Sequence, residues 1–174
     1  MMRVVEDILL LTRLEYESEV FRPEPFDLVE FFRELHEHSK LLAEPKRIGM
    51  RLHAPSCGIG VRADRVHLRR LFFNLIDNAI KFSPENGSVD LRIWTEDHTA
   101  KVSVTDRGVG ISEDVLPKIF GKFFHLDPRP ERPESGAGLG LSMAMAIAKA
   151  HGGGIDVQSR SGEGAAFTVC LPMH

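Results

Sequence analysis

Three glycines alternate before a long apolar run, Gly136, Gly138 and Gly140 in the stretch "SGAGLGLSMA". Glycine lets the backbone approach another molecule closely. The first turn of a helix offers free N–H groups and about half a positive charge. Together these features favour an anion site, most often one for a phosphate. A flexible loop that leads into a helix is the alternative that this stretch leaves open when it is taken alone.

Two asparagines, Asn74 and Asn78, are four residues apart and therefore lie on one face of a predicted helix. Asparagine is a poor helix former because its side chain competes for backbone hydrogen bonds, so both side chains need partners. An amide oxygen suits Mg²⁺, which keeps several of its waters and takes few protein ligands. Lys81 follows within one turn and could reach a phosphate as a point charge. Solvated asparagines and a lysine that only offsets the helix dipole are the alternatives.

Asp106 ends a predicted strand and is followed by Gly108 and Gly110. A carboxylate that is buried at the end of a strand needs hydrogen-bond donors. The exocyclic amine of adenine is a suitable donor, and the two glycines would let a flat ring approach the backbone. A β-turn with aspartate at its first position is the alternative, and such turns are common.

Helices and strands follow in an order that must position these residues. Apolar spacing predicts helices over about 28–44 and 64–82, with Asp27 and Asp64 as N-caps and Glu30 as the capping-box partner of Asp27. The alternation typical of strands occurs in "RIGMRLHA", "SVDLRIWTE", "AKVSVTD", "GIDVQSR" and "GAAFTVCLP". We expect an α/β fold, a two-layer sandwich with helices on one face of a mixed, mostly antiparallel sheet.

Two segments between these elements are less regular. Residues 112–119 have a short helical pattern, and residues 120–137 carry three prolines among charged residues. Loops of this length and composition are typically exposed, so we expect residues 120–137 to be mobile.

The composition excludes several classes of function. The chain has 174 residues and a net charge of -3, which argues against a nucleic-acid partner because such proteins usually carry a basic stripe. Its cysteines, Cys57 and Cys170, match no metal-binding spacing and fit a reducing compartment. No apolar run approaches the length of a membrane span. We therefore expect a cytoplasmic segment without direct membrane contact.

Four segments, in order, closely resemble the ATP-site boxes of the sensor histidine kinase catalytic domain: "NLIDNAIKFS", "DRGVGI", "IFGKFFHLD" and "GAGLGLSMA". That family belongs to the GHKL superfamily, with the gyrase, mismatch-repair and chaperone ATPases. The resemblance covers about residues 26–172, with further similarity in the first 20. It implies the Bergerat-type ATP-binding fold, with ATP and Mg²⁺ as ligands.

The resemblance also implies roles for individual residues. Asn78 matches the Mg²⁺ ligand, Asn74 lies near the phosphates and Lys81 contacts a phosphate. Asp106 matches the aspartate that accepts a hydrogen bond from the adenine amine. Further positions match the base pocket, the aromatic box that begins the ATP lid and the second glycine box of the lid: Phe82, Gly108, Gly110, Ile111, Phe120, Phe123, Phe124, Gly136, Gly138, Leu139 and Gly140. Leu139 and Leu141 are then expected to face the core.

Two positions in the lid depart from the family pattern. Position 125 is histidine where many members carry an arginine that points at the γ-phosphate, and histidine is shorter and mostly neutral at pH 7. Ala137 replaces a more common threonine or serine. Together with Asn74, Asn78 and Lys81, His125 completes the expected catalytic set. Both departures bear on the rate of phosphoryl transfer more than on nucleotide binding.

The phosphoacceptor of such kinases is a histidine on the first helix of a dimeric hairpin, followed by a Thr-Pro pair. Here "HEHSKL" begins at His36 but lacks Thr-Pro, so we expect His36 and His38 on a solvated helix face. Residues 1–20 resemble the end of the second hairpin helix, residues 21–27 a linker and residues 28–174 the catalytic domain. The resemblance implies transfer of the ATP γ-phosphate to a histidine of an absent dimerisation domain, then relay to an aspartate of a response-regulator receiver domain. The chain alone is expected to be inactive.

Two other functions remain open. ATP hydrolases of the superfamily usually place a glutamate base four residues before the metal-binding asparagine. Here that position is Asn74, which cannot take a proton, although Asp77 is near. A degenerate regulatory domain that binds nucleotide without catalysis is the other alternative, and His125 and the missing acceptor give it some support.

Overall fold

The computed structural model describes residues 2–16, 21–124 and 138–173. Within these ranges the helices are α1 (Met2–Tyr16), α2 (Leu28–Ala43), α3 (Arg65–Phe82) and α4 (Gly140–Ala150). The strands are β1 (Glu24–Asp27), β2 (Gly49–His53), β3 (Gly60–Ala63), β4 (Ser88–Glu96), β5 (Thr99–Asp106), β6 (Gly154–Ser159) and β7 (Ala165–Pro172). Short 3₁₀ turns occupy Glu44–Lys46 and Leu116–Lys118, and the second lies in the segment 112–119, where the sequence predicted a short helical stretch.

The main sheet has the strand order β2-β4-β5-β7-β6. Strands β2 and β4 are parallel, with Gly49 opposite Ser88, and the other neighbouring pairs are antiparallel. The expectation of a mixed, mostly antiparallel sheet is confirmed. This order places the end of β5, where Asp106 lies, in the middle of the sheet.

The helices cover one face of that sheet. Strands β5 and β7 alternate strictly between buried and partly exposed residues, and Val104 and Phe167 are among the residues that point inward. Helix α3 packs on this face with Leu71, Phe72 and other buried apolar side chains. Because only one face is covered, the architecture is the expected two-layer sandwich.

Aspartates begin two of these helices, as the sequence predicted. Asp27 accepts a hydrogen bond of 2.8 Å from the N–H of Val29 and one of 3.1 Å from the N–H of Ile59. Asp64 accepts bonds of 3.0 Å from the N–H groups of Val66 and His67. Each carboxylate therefore satisfies donors that the first turn of a helix leaves unpaired.

A small second sheet was not predicted. Strand β1 pairs antiparallel with β3, with Glu24 opposite Ala63. The segment expected as a linker, 21–27, therefore contains a strand of the domain. The strand was not predicted from the sequence because Pro23 and Pro25 lie in this short run, and proline there favours a turn or an edge strand.

The expectation of a solvated face for His36 was wrong. Its side chain is 12% exposed, and Nε2 lies 3.2 Å from the carbonyl oxygen of Met50 on β2. Helix α2 packs on β2, so this face of the helix is covered. His38 is exposed, as expected.

Helix α1 packs against α4, and Leu11 is buried between them at 3% exposure. Val5, Ile8 and Leu9 of α1 are exposed. Among the helices that the structure describes, none combines the length and apolar character that a membrane crossing requires.

Candidate nucleotide-binding site

The polar face of α3 and the start of α4 meet at Asn74. A Cβ built on Gly140 would lie 3.7 Å from Cγ and 3.8 Å from Oδ1 of Asn74, an ordinary van der Waals distance. Asn74 and Asn78 are both half-buried. The first turn of α4 therefore lies directly beside the asparagine face of α3, as an anion site between these elements would require.

Leu139 is the N-cap of α4, and within the described residues no side chain forms a capping hydrogen bond to its first turn. Gly138 before it has φ of 68°, a left-handed conformation that glycine adopts at little cost. Leu139 is buried and Leu141 is half-buried against the core, as expected. Uncapped N–H groups at a helix start are suited to an anionic ligand.

Lys81 forms an ion pair with Asp77, one turn earlier on α3. Its Nζ lies 2.6 Å from Oδ2, and both side chains are about one-third exposed. Lys81 is therefore accessible to a ligand but is held by Asp77 in this structure. The ion pair also occupies the carboxylate of Asp77, the acidic side chain nearest in sequence to Asn74 and Asn78.

Asp106 is the most buried charged group near this site, at 6% exposure. Burial raises the pKa of its carboxyl above the ordinary value, while the N–H groups of Gly108 and Ala165 oppose that rise. The bond from Gly108 to Oδ1 is 2.8 Å. A carboxylate has acceptor positions for about four hydrogen bonds, so two backbone donors leave it able to receive a ligand amine.

Gly108 and Gly110 are required by close backbone packing. A Cβ on Gly108 would overlap the carbonyl of Phe82 at the end of α3. A Cβ on Gly110, which has φ of 66°, would overlap the carbonyl of Arg160. These glycines therefore let the loop after β5 lie between the end of α3 and the β6–β7 turn.

Ser159 ties this loop to the β6–β7 turn, a role that the sequence analysis missed. Its Oγ accepts a bond of 2.8 Å from the N–H of Ile111 and donates one of 2.6 Å to the carbonyl of Gly164. The N–H of Gly162 donates to the carbonyl of Val109 at 2.7 Å. Gly164 packs against the backbone of Asp106, and the side chain of Ile111 is buried. In the sequence, the glycines of "SGEG" were the feature that could have predicted close packing between the β6–β7 turn and the loop after β5.

The aromatic residues after the loop differ in their packing. Phe120 is half-buried, with its ring perpendicular to that of Phe167 at 6.5 Å. Phe124 is also half-buried against the core. Phe123 is 57% exposed and has φ of 61°, so it does not pack against the core as Phe120 and Phe124 do. His125, Gly136 and Ala137 lie outside the described residues, as does the rest of the predicted lid from 125 to 137.

The structure places Gly140 beside Asn74, and it places Gly108 beside Phe82 and Asp106. The fold is a two-layer α/β sandwich with a buried aspartate at the end of its central strand. A helix that carries asparagines packs against that strand, and a second helix that begins with glycine lies beside the first. Together these features define an ATP-binding domain of the kinase and gyrase type. Residues 63–174 match the family described as histidine kinase-, DNA gyrase B-, and HSP90-like ATPase, and the chain belongs to this family.

Relatives and solved structures agree with that assignment. The circadian input-output histidine kinase CikA of Synechococcus elongatus is 33% identical over 99% of this chain and 23% of its own length. The structure of full-length ShkA in complex with AMPPNP has a TM-score of 0.86 and 30% identity, covering 98% of this chain and 35% of that one. The catalytic domain of histidine kinase ThkA has a TM-score of 0.76 and 29% identity, covering 87% of this chain and 96% of that one.

This chain thus spans about a quarter of the CikA kinase. It corresponds to the catalytic ATP-binding domain of sensor histidine kinases.

Proposed function

We propose that the chain binds Mg-ATP and transfers its γ-phosphate to a histidine of a dimerisation and phosphoacceptor domain, for relay to an aspartate of a response-regulator receiver domain. One observation carries the proposal. A buried carboxylate at Asp106 and the uncapped start of α4 at Gly140 flank the same helix, α3, whose Asn74 lies beside Gly140. An adenine ring and a triphosphate need these two kinds of partner.

Asp106 would accept a hydrogen bond from the adenine amine. Its pKa is raised by burial, so the pocket favours a ligand that brings a donor to the carboxylate. Gly108 and Gly110 let the loop after β5 pack tightly on the carbonyls of Phe82 and Arg160, and this packing fixes the loop beside Asp106. The base would then lie near Phe82 and Ile111, with its phosphates directed along α3.

The residues present fit a nucleotide-bound Mg²⁺. Among the described residues there is no cluster of three or more His, Cys, Asp or Glu side chains that could hold a metal alone. Asn78 and Asn74 offer amide oxygens, and Mg²⁺ in nucleotide sites takes only one or two protein ligands besides phosphates and water. When bound, Mg²⁺ would neutralise charge on the phosphates. We assign Asn78 as the metal ligand.

The other groups would position and stabilise the phosphates. The N–H groups at the start of α4 would face phosphate oxygens, and Lys81 would reach them after leaving Asp77. Phosphoryl transfer depends mainly on such positioning and charge stabilisation. His125 would occupy the position where many members of the family carry an arginine. Because histidine is shorter and mostly neutral at pH 7, we expect this substitution to lower the rate of phosphoryl transfer more than the affinity for nucleotide.

Hydrolysis of ATP is less well supported. Asn74 occupies the position of the usual base, and Asp77 is held in an ion pair with Lys81. Neither side chain is placed to take a proton from water.

The domain boundaries fit a longer cytoplasmic kinase. We propose that α1 is the end of the second hairpin helix, because its exposed Val5, Ile8 and Leu9 would suit packing against another helix. The segment 21–27, which includes β1, then connects this helix to the rest of the catalytic domain.

Isothermal titration calorimetry tests the proposal directly. We expect the 174-residue chain to bind ADP and a non-hydrolysable ATP analogue in the presence of Mg²⁺. Asn78→Ala should reduce the Mg²⁺ dependence of that binding. Absence of heat with either nucleotide, together with no shift in melting temperature, would exclude a nucleotide site.

A further inference from the structure

Lys46 lies outside the predicted nucleotide site but contacts the end of α3. Its Nζ donates hydrogen bonds to the carbonyl oxygens of Ile80 at 3.0 Å, Lys81 at 2.8 Å and Ser83 at 2.9 Å. The last turn of a helix leaves such carbonyls without partners. An ammonium has three N–H groups, so these bonds use its full donor capacity.

The backbone around Lys46 is itself fixed. Lys46 closes the 3₁₀ turn Glu44–Lys46, and the N–H of Arg47 donates to the carbonyl of Glu44 at 2.9 Å. The carbonyl of Lys46 accepts a bond of 3.0 Å from the N–H of Asn86, in the turn that follows α3. The side chain and the main chain of one residue therefore both bind the end of α3 and its following turn.

The same end of α3 forms one wall of the adenine side of the site. Phe82, between the carbonyls that Lys46 binds, presents its own carbonyl to Gly108 so closely that no Cβ would fit. Gly108 in turn donates its N–H to Asp106. A contiguous set of contacts thus leads from Lys46 through Phe82 and Gly108 to the carboxylate.

The positive charge of Lys46 also favours nucleotide binding. The C-terminal end of a helix carries about half a negative charge. That end lies beside Lys81, which we assign to the phosphates. An ammonium bound to these carbonyls offsets the negative end of the dipole, where an anionic ligand would otherwise be repelled.

We propose that Lys46 is a positioning residue for nucleotide binding: by capping α3 it holds the Phe82 carbonyl, and through it Gly108 and Asp106, in the arrangement that receives the adenine ring. This inference rests on the proposed nucleotide site. Lys46 makes its contribution through these backbone groups rather than by touching the ligand.

The test compares Lys46→Met with a matched loss of a different helix cap, Asp27→Ala. Asp27 caps α2, and its bonds go to Val29 and Ile59. Affinities for ADP and for adenosine are measured by calorimetry at a temperature where circular dichroism shows each variant folded. Hydrogen exchange is followed in peptides covering residues 80–88 and 106–111.

We expect Lys46→Met to weaken both ADP and adenosine by roughly tenfold, the order that a charged hydrogen bond contributes. Exchange should rise in both peptides. Asp27→Ala should lower stability while leaving both affinities within about twofold of the parent. If Lys46→Met only lowers stability and keeps the parent affinities, or weakens ADP and not adenosine, the positioning role is overturned.

A second variant and the exchange data separate this inference from the proposed function. Should Lys46→Met fail to fold, Lys46→Gln keeps two N–H donors and should weaken adenosine by about threefold; unchanged affinity overturns the role. If the parent binds no ADP, the proposed function fails, and increased exchange at 106–111 in the lysine variants still supports the structural link. Unchanged exchange there overturns it.

Discussion

The Nε2 atom of His151, at the end of α4, accepts a hydrogen bond of 3.0 Å from the backbone N–H of Asp64, the N-cap of α3. Nδ1 of the same ring lies 2.8 Å from the carbonyl oxygen of Ile147 and donates to it. The ring must therefore be neutral, with its proton on Nδ1. If Nε2 were protonated, its N–H would face the backbone N–H of Asp64, and the hydrogen bond would be lost.

The segment that joins α1 to the domain is attached at this place. The ring of Phe21 stacks on His67 and meets His151 edge-on, each at 4.7 Å. The N–H of Arg22 donates to Oδ2 of Asp64 at 2.9 Å, and Nδ1 of His67 lies 3.0 Å from the same oxygen. Burial opposes the ionisation of Asp64, but the bonds from Arg22 and His67 outweigh it and hold the pKa of Asp64 below its ordinary value.

Acidification should weaken this attachment through His151. Burial lowers the pKa of His151 below 6.5, so its contribution to stability is complete above pH 6.5 and is lost as the pH falls towards the lowered pKa. Gln at position 151 can accept the bond from Asp64 without titrating. We expect the free energy of unfolding in urea to fall between pH 7.5 and 5 more steeply for the parent than for His151→Gln.

The variant retains Asp64, so the titration of Asp64 largely cancels from the comparison. Because the pKa of Asp64 is lowered, its contribution to stability is lost at a more acidic pH than this window covers. His38→Gln, at an exposed position, should follow the parent. Parallel curves for the parent and His151→Gln would contradict the assignment of the titrating group.

Asp106→Asn should weaken adenine nucleotides by tenfold or more. The amide keeps one acceptor oxygen for Gly108 or for adenine but not the charge, and a hydrogen bond to a charged group contributes about 1.5–3 kcal/mol. Discrimination between ADP and GDP should fall as well, because the amide can also donate. Calorimetric titration with both nucleotides measures the two effects. Asp97→Asn in the exposed β4–β5 turn is the control, and equal ADP affinity in all three proteins would show that Asp106 does not hold the base.

Ser159→Ala should destabilise the domain by about 1–2 kcal/mol, because the buried N–H of Ile111 loses its partner. Nucleotide affinity should also decrease, since the loop from Gly108 to Ile111 loses one of its two supports. Urea unfolding and ADP titration measure these quantities. Ser103→Ala, on the outer face of β5, should change neither by more than about 0.5 kcal/mol. A nucleotide affinity equal to that of the parent would separate Ser159 from the site.

Local features of the sequence predicted much of this molecule. Asp27 and Asp64 were identified as caps because capping involves residues two or three positions away, and Asn74 and Asn78 because helical spacing places them on one face. Lys46 and Ser159 were missed because their partners are 34–37 and 48 residues distant, and no periodicity encodes such contacts. Strand β1 has only four residues, too few for alternation to identify it, and its prolines favoured a linker.

The burial of individual side chains was less predictable than their positions. His36 illustrates this, because the helix face that was expected to be solvated is covered by β2. Which face of a helix or turn is covered depends on elements that are remote in sequence.

Phosphoryl transfer should require an acceptor histidine on a separate hairpin domain. Transfer needs an acceptor imidazole in line with the γ-phosphate, and positioning supplies most of the catalysis. His36, which most resembles an acceptor in sequence, has its Nε2 at 3.2 Å from the carbonyl of Met50 and is mostly buried. Asn74 cannot activate water in place of an acceptor. We therefore expect neither autophosphorylation nor useful ATP hydrolysis by the 174-residue chain alone.

The assay uses γ-labelled ATP with the chain alone and with a histidine kinase dimerisation hairpin, carrying its acceptor histidine, supplied in trans. Label should appear on the hairpin histidine, be labile in acid and disappear when that histidine is replaced by glutamine. Asn78→Ala should reduce the rate at least tenfold, because the metal and the phosphates lose a fixed ligand. His36→Gln should leave the rate unchanged.

Acid-labile label on the isolated chain that is lost in His36→Gln would identify an internal acceptor and contradict the prediction. Nucleotide binding without transfer to the native hairpin would instead favour a degenerate kinase, and replacing His125 with arginine would then test whether that position limits the reaction.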